Sequence, residues 1–308
     1  MSGMINNFYY GKAGKADYTP DQLPANRVEL FFEMLRIRFS GLVGMNLLAV
    51  LTSLPTIVWS FLSFQVVLLN LEQSAADAAM VGSVNSALML YFLLLIPCLM
   101  ISSVFSTGII YVLRNWARDQ HAFTLSDFKD AVKENWKGGL LLGFINGASL
   151  LLTYVAYTYY GQMAVTGGYF FYIPQMLVVI LCCIWWMANM LITPMMVTYD
   201  MSFKTLVSNS IIMTLSRLPW SLLIWGVSIG LPFVIAYFVP YGIVFLALVY
   251  LVIGLSLTYF VYVSYANSCF DRYLNPRIEG AQVNMGLRDR SFDEEDDIEV
   301  TEEDIKNL

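Results

Sequence analysis

ALMLYFLLLIPCLMISSVFSTGIIYVL, Ala87–Leu113, contains no Asp, Glu, Lys, Arg or His. It is followed by the charged stretch RNWARDQHAFTLSDFKDAVKENWK, residues 114–137, and then by a second uncharged run, Gly139–Tyr160. A helix that crosses a bilayer needs about 20 mostly apolar residues, so this segment reads as a membrane hairpin with its charged connection on one side. Further apolar runs occupy Gly41–Leu62, Tyr172–Val197, Pro219–Val239 and Tyr241–Ala266. The sequence therefore predicts an all-α polytopic membrane protein with six spans arranged as three hairpins.

Composition supports this. The chain of 308 residues is 58% hydrophobic and 13% charged, whereas soluble domains average about 45–50% apolar and about 25% charged residues. So little charge cannot cover a water-facing surface of this size, which excludes a soluble enzyme, a secreted disulfide scaffold and a free nucleic-acid binder. No short apolar core with a cleavage site precedes the first run, so we expect that run to insert and stay.

All 17 Lys and Arg residues precede the first run, follow the sixth, or fall in the second and fourth connections. Lys and Arg remain on the cytoplasmic side, so both termini are expected there. The net charge of −6 comes from the end of the chain, where residues 288–308 hold ten acidic groups. We divide the chain into a cytoplasmic N-terminal segment (1–27), a six-helix transmembrane domain (28–275) and a flexible acidic cytoplasmic tail (276–308).

Each hairpin is expected to begin with an amphipathic helix lying in the cytoplasmic interface. The first is Val28–Arg38, with Val28, Phe31, Phe32, Leu35 and Phe39 at helical spacing. The second is Leu125–Trp136 and the third Phe203–Leu218. This gives a threefold unit of interfacial helix, span, span, and transporter folds are often built from repeats.

The run from Leu113 through Arg114, Trp116, Arg118 and Phe123, then Phe128, Lys133, Asn135 and Trp136, together with Val43–Pro55, resembles the YesL-like bacterial membrane proteins, known as domain of unknown function 624. The resemblance covers about residues 29–200. It implies a multi-pass protein of a bacterial plasma membrane, in a Gram-positive organism, often encoded beside carbohydrate ABC-transporter genes, and it carries no catalytic residues.

The residues offer little chemistry. His121, the single histidine, lies in a connection beside Asp119 without a nucleophile or metal partner in sequence. Cys98, Cys182, Cys183 and Cys269 show no zinc or disulfide spacing. With no ionisable group in a span, proton-driven transport and intramembrane acid–base catalysis are disfavoured. No metal, cofactor or enzymatic activity is expected.

Polar uncharged residues do occur in the spans, and Asn46, Asn146, Asn189 and Thr193 are the candidate lining of a solute path. The bland reading of these groups is hydrogen bonding between helices. Gly143-x-x-x-Gly147 and Gly226-x-x-x-Gly230 read as packing motifs. Aromatics near the outer side, including Tyr169, Phe170 and Tyr172, read as an interfacial belt. The expected function is a non-enzymatic accessory of a carbohydrate ABC-type uptake system, docking through Arg114, Trp116, Arg118, Phe123, Phe128, Lys133, Asn135 and Trp136. The alternative is an autonomous path for a small neutral solute. Expected partners are the lipid bilayer, ABC-transporter subunits and a second copy of the chain, and no nucleic acid.

Overall fold

A computed structural model of the chain describes residues 23–76 and 81–288. The acidic end of the tail, residues 289–308, and most of the N-terminal segment lie outside the described residues. The described residues fold into helices without strands. We number them α1 (Arg27–Ile37), α2 (Phe39–Thr52), α3 (Leu54–Ala76), α4 (Val81–Trp116), α5 (Thr124–Gly167), α6 (Tyr172–Met196), α7 (Phe203–Ser216), α8 (Leu218–Phe238), α9 (Gly242–Val249) and α10 (Leu255–Tyr273). A π-helical turn, Tyr250–Gly254, joins α9 to α10. Six helical stretches are long and apolar enough to cross a membrane, and the protein is an all-α polytopic membrane protein.

Helix α1 starts because Asn26 caps it, its Oδ1 accepting from the backbone N–H groups of Val28 and Glu29 at 3.1 and 2.9 Å. Glu29 in the first turn and Arg36 in the last suit the helix dipole. The axis then turns by 82° into α2. Leu30 and Met34 are buried against the bundle, and the Phe31 ring stacks on Phe260 at 5.2 Å. Of the stripe read from sequence, Val28, Phe32 and Phe39 face outward. The helix thus has two apolar faces, one gripping protein and one available to lipid.

The first span differs from the expected Gly41–Leu62. The helix breaks at Ser53, and the crossing stretch is Leu54–Glu72. Pro55 has no N–H to offer the carbonyl one turn back, which favours the break there. The second expected interfacial helix is not a separate element. Leu125–Trp136 forms the first turns of α5, a continuous helix of 44 residues, about 66 Å long. Nothing between Trp136 and Gly139 ends it, because the two glycines are used for packing. The third, Phe203–Ser216, is a separate helix, with Ser202 accepting from the Thr205 N–H at its start.

Helices α4 and α5 run antiparallel in close contact. A Cβ on Gly139 would lie 2.9 Å from the Cα of Val104, one on Gly143 2.5 Å from that of Met100, and one on Gly147 2.7 Å from that of Ile96. Small residues let the backbones approach this closely. Gly226 and Gly230 of α8, read from sequence as the same device, meet nothing within 4 Å. Helix α8 packs less tightly, and Ser221 is its buried residue.

Candidate functional site: a polar chamber between the spans

Five helices converge on a partly open chamber of about 240 Å³ between the spans. Helix α4 contributes Ser102, Ser103 and Ser106, α5 contributes Asn146, and α6 contributes Trp186, Asn189 and Thr193. Trp225 of α8 and Tyr259 and Tyr262 of α10 complete the polar and aromatic lining, with Leu142, Met190 and Ile229 among the apolar residues. No lining residue is Asp, Glu, Lys, Arg or His.

Internal hydrogen bonds hold this wall. The Ser102 and Thr56 hydroxyls lie 2.8 Å apart. Ser106 donates to the Ser103 carbonyl at 2.8 Å. Trp185 Nε1 donates to Asn146 Oδ1 at 2.9 Å, and Asn189 Nδ2 donates to the Trp185 carbonyl, also at 2.9 Å. Pro194 lies inside α6 and has no N–H for the Met190 carbonyl, so the continuous helix lacks one ladder hydrogen bond where it lines the cavity.

Three of the four residues read from sequence as a solute path therefore meet here: Asn146, Asn189 and Thr193. Asn46 does not. Its Nδ2 donates to the carbonyls of Tyr250 and Leu251 at 2.9 and 2.8 Å, and its Oδ1 accepts from the Ser256 N–H at 3.0 Å. Asn46 thus ties α2 to the π-helical turn and is fully buried there. The serines of α4 and the tryptophans of α6 and α8 were not singled out from sequence. Their signal was present in the helical spacing of Ser102 and Ser106, but serine in a span is common packing material.

The residues read as a docking face do not share one. Trp116 and Phe128 are 3% and 7% exposed. Arg114 and Arg118 are half-buried, and Asn135 donates to the Ala131 carbonyl of its own helix at 3.0 Å. Phe123, Lys133 and Trp136 stay exposed. Arg114 and Trp116 belong to the last turn of α4, and Trp116 packs over Gly41 of α2. The sequence reading took them for loop residues.

A network of charged and polar groups closes this basic end. Arg27 pairs with Asp271 at 2.5 Å and donates to the Met285 carbonyl at 2.9 Å. Asp271 also accepts from Asn275 Nδ2 at 2.7 Å, and Tyr199 donates to Asn275 Oδ1 at 2.5 Å. Arg118 donates to Asn267 Oδ1 at 3.1 Å. Burial pushes the Arg118 guanidinium below its usual range, with Tyr199 and Asp271 opposing. Burial pushes the Tyr199 hydroxyl up to about 12, with Arg118 opposing.

Beside this network lies a polar vestibule of about 500 Å³, lined by Glu134, Asn135, Gly138, Met196, Tyr199 and Asp200 among others. Gly138 and Met196 are each about one helical turn from chamber residues Leu142 and Thr193. Among the described residues, no three His, Cys, Asp or Glu side chains gather as metal ligands. The chamber can therefore bind through hydrogen bonds and aromatic faces, and it presents no acid–base pair.

Residues 83–157 match the model of a family described as Protein of unknown function, DUF624. The resemblance read from sequence to domain of unknown function 624 is borne out over that segment. The segment supplies the serine and Asn146 walls of the chamber. No curated protein and no solved structure matches the chain.

Proposed function

We propose that this protein is a non-enzymatic membrane protein that admits a small neutral solute to the chamber between its spans. The observation that carries the reading is a partly open cavity at the meeting of five helices, with hydroxyl, amide and indole groups set in a largely apolar lining and with no charge. A buried polar surface is costly unless it is paired. A neutral polar occupant supplies that pairing, whereas an ion would lose its hydration without a counter-charge.

The basic end, with its vestibule, lies on the cytoplasmic side of a bacterial plasma membrane in this reading. The distribution of Lys and Arg supports that orientation, which puts both termini in the cytoplasm. The test uses Thr193→Cys in a background with Cys98, Cys182, Cys183 and Cys269 replaced by Ala. Methyl methanethiosulfonate, small and uncharged, should label it in membranes, and a charged analogue should label it far more slowly. Equal labelling by both reagents, or none by either in folded protein, refutes the reading.

A second reading is an accessory role beside a carbohydrate ABC-type uptake system. Exposed Phe123, Lys133 and Trp136 at the basic end favour it. Purification from native membranes in mild detergent tests it. Stoichiometric transporter subunits that are lost with Trp136→Ala would support it. A second copy of the chain, found by cross-linking, would instead indicate a homo-oligomer.

A further inference from the structure

The chamber has hydrogen-bonding capacity left over, and that capacity is of both signs. The bonds that hold the wall leave out the Asn146 amide nitrogen, the Asn189 carbonyl oxygen and the hydroxyls of Ser103 and Thr193. The indole N–H groups of Trp186 and Trp225 are buried with no partner among the described residues. Amide and indole nitrogens only donate, the Asn189 oxygen only accepts, and hydroxyls do both. A ligand carrying one kind of group would leave part of this set unpaired. A ligand carrying several hydroxyls can pair with the amide and hydroxyl groups of the set, the two indole N–H groups being buried behind the lining.

Size and shape narrow the class. The cavity volume is about 240 Å³. That is below the range of pockets for drug-sized ligands, about 300–1,000 Å³. Trp186, Trp225, Tyr259 and Tyr262 line the same cavity, and aromatic rings can offer apolar faces to C–H surfaces. An acyl chain would waste the polar lining.

Resting on the chamber as a solute site, we propose that its ligand is an uncharged polyhydroxylated molecule no larger than a monosaccharide. Asn146, Asn189, Thr193 and Ser103 hydrogen-bond its hydroxyls, and Trp186 and Trp225 bound it. Each hydrogen bond carries discrimination. An analogue lacking the matching hydroxyl leaves a buried protein group unpaired.

The experiment titrates the full chain in nanodiscs with sorbitol, D-glucose, gluconate and urea, following tryptophan fluorescence. Sorbitol or D-glucose should give a saturable change, and gluconate and urea none. Thr193→Val and Asn189→Ala should each weaken binding by about fivefold, while Asn70→Ala, remote from the chamber, should leave it unchanged. Trp186→Phe should diminish the signal.

Saturable urea binding without polyol binding overturns the ligand class. So does polyol binding indifferent to the chamber variants, and so does silence from all four probes with folded protein. Thr193→Cys labelling separates the two ideas. With labelling intact, the chamber reading stands and the ligand class alone has failed. With labelling also lost, both fail.

Discussion

Asn46→Leu should destabilise the protein without touching the chamber. The side chain is fully buried and makes three hydrogen bonds, two to carbonyls of the π-helical turn and one from the Ser256 N–H. A π turn disturbs the regular helical ladder and leaves backbone groups in need of partners. No water is at hand in the bilayer interior to replace them. Hydrogen bonds within membranes average about 0.6 kcal/mol and reach about 1.7 kcal/mol, and each group left unpaired adds its own cost. Leucine has the branched four-heavy-atom side chain of asparagine but neither its donor nor its acceptor. The three bonds together predict a loss of about 2–4 kcal/mol. Asn189→Leu is the comparison, since its amide makes one bond to its own helix and should cost less than about 1 kcal/mol. The assay is reversible unfolding in mixed micelles, followed by tryptophan fluorescence. A shift under about 0.5 kcal/mol for Asn46→Leu would refute the reasoning. So would lost ligand binding with unchanged stability, which would return Asn46 to the solute path.

Gly143→Val should abolish folded yield in detergent, because its Cβ position lies 2.5 Å from the Met100 backbone, whereas Gly226→Ala and Gly230→Ala should leave thermal stability within about 0.5 kcal/mol. Equal yields of the Gly143 and Gly226 variants on size-exclusion chromatography would contradict the packing described. Asp271→Asn should destabilise by about 1.5–3 kcal/mol, since Arg27 then loses the charge it pairs with, and protease sensitivity near residue 285 should rise; unchanged digestion would count against the tie. Tyr199 titrates near 12 in the fold against about 10 unfolded, so its contribution is complete below pH 10 and disappears as the pH rises toward 12. Tyr199→Phe should flatten the loss of stability across that window, and superimposable alkaline unfolding curves for the two proteins would show that the hydroxyl is not the cause.

The spans were legible because an uncharged run of twenty residues has few competing explanations, and the Lys and Arg pattern agrees with a count of six. The break at Ser53 was less legible. Val43–Leu62 is apolar on both sides of it, and only Pro55 marks the place. The continuity of α5 was missed for the opposite reason. The periodicity changes after Trp136, but the glycines that follow serve contact with α4 rather than a bend. Asn46 and Asn146 look alike in sequence, each a lone amide in an apolar run. Their roles diverge because Asn46 has partners more than 200 positions away, which local pattern cannot reveal. Of the residues read as a docking face, Arg114 and Trp116 close α4 beneath α1 and α2 instead of standing in a loop.

The glycine seam and the chamber belong to one arrangement. Gly139, Gly143 and Gly147 bring α5 into backbone contact with α4 at Val104, Met100 and Ile96. Chamber residues of the same two helices, Ser102, Ser103, Leu142 and Asn146, lie between those contacts in sequence, and Ser106 follows two positions after the last. Two helices fixed this closely cannot shift their serines and asparagine independently, so the wall is preorganised before any ligand arrives. Preorganisation lowers the ordering cost of binding. Across the chamber, α8 has a single buried residue and α6 carries Pro194 within the wall. The compliant side of the chamber is therefore the α6 and α8 side, and a solute that enters or leaves between helices would do so there while the α4–α5 wall stays fixed.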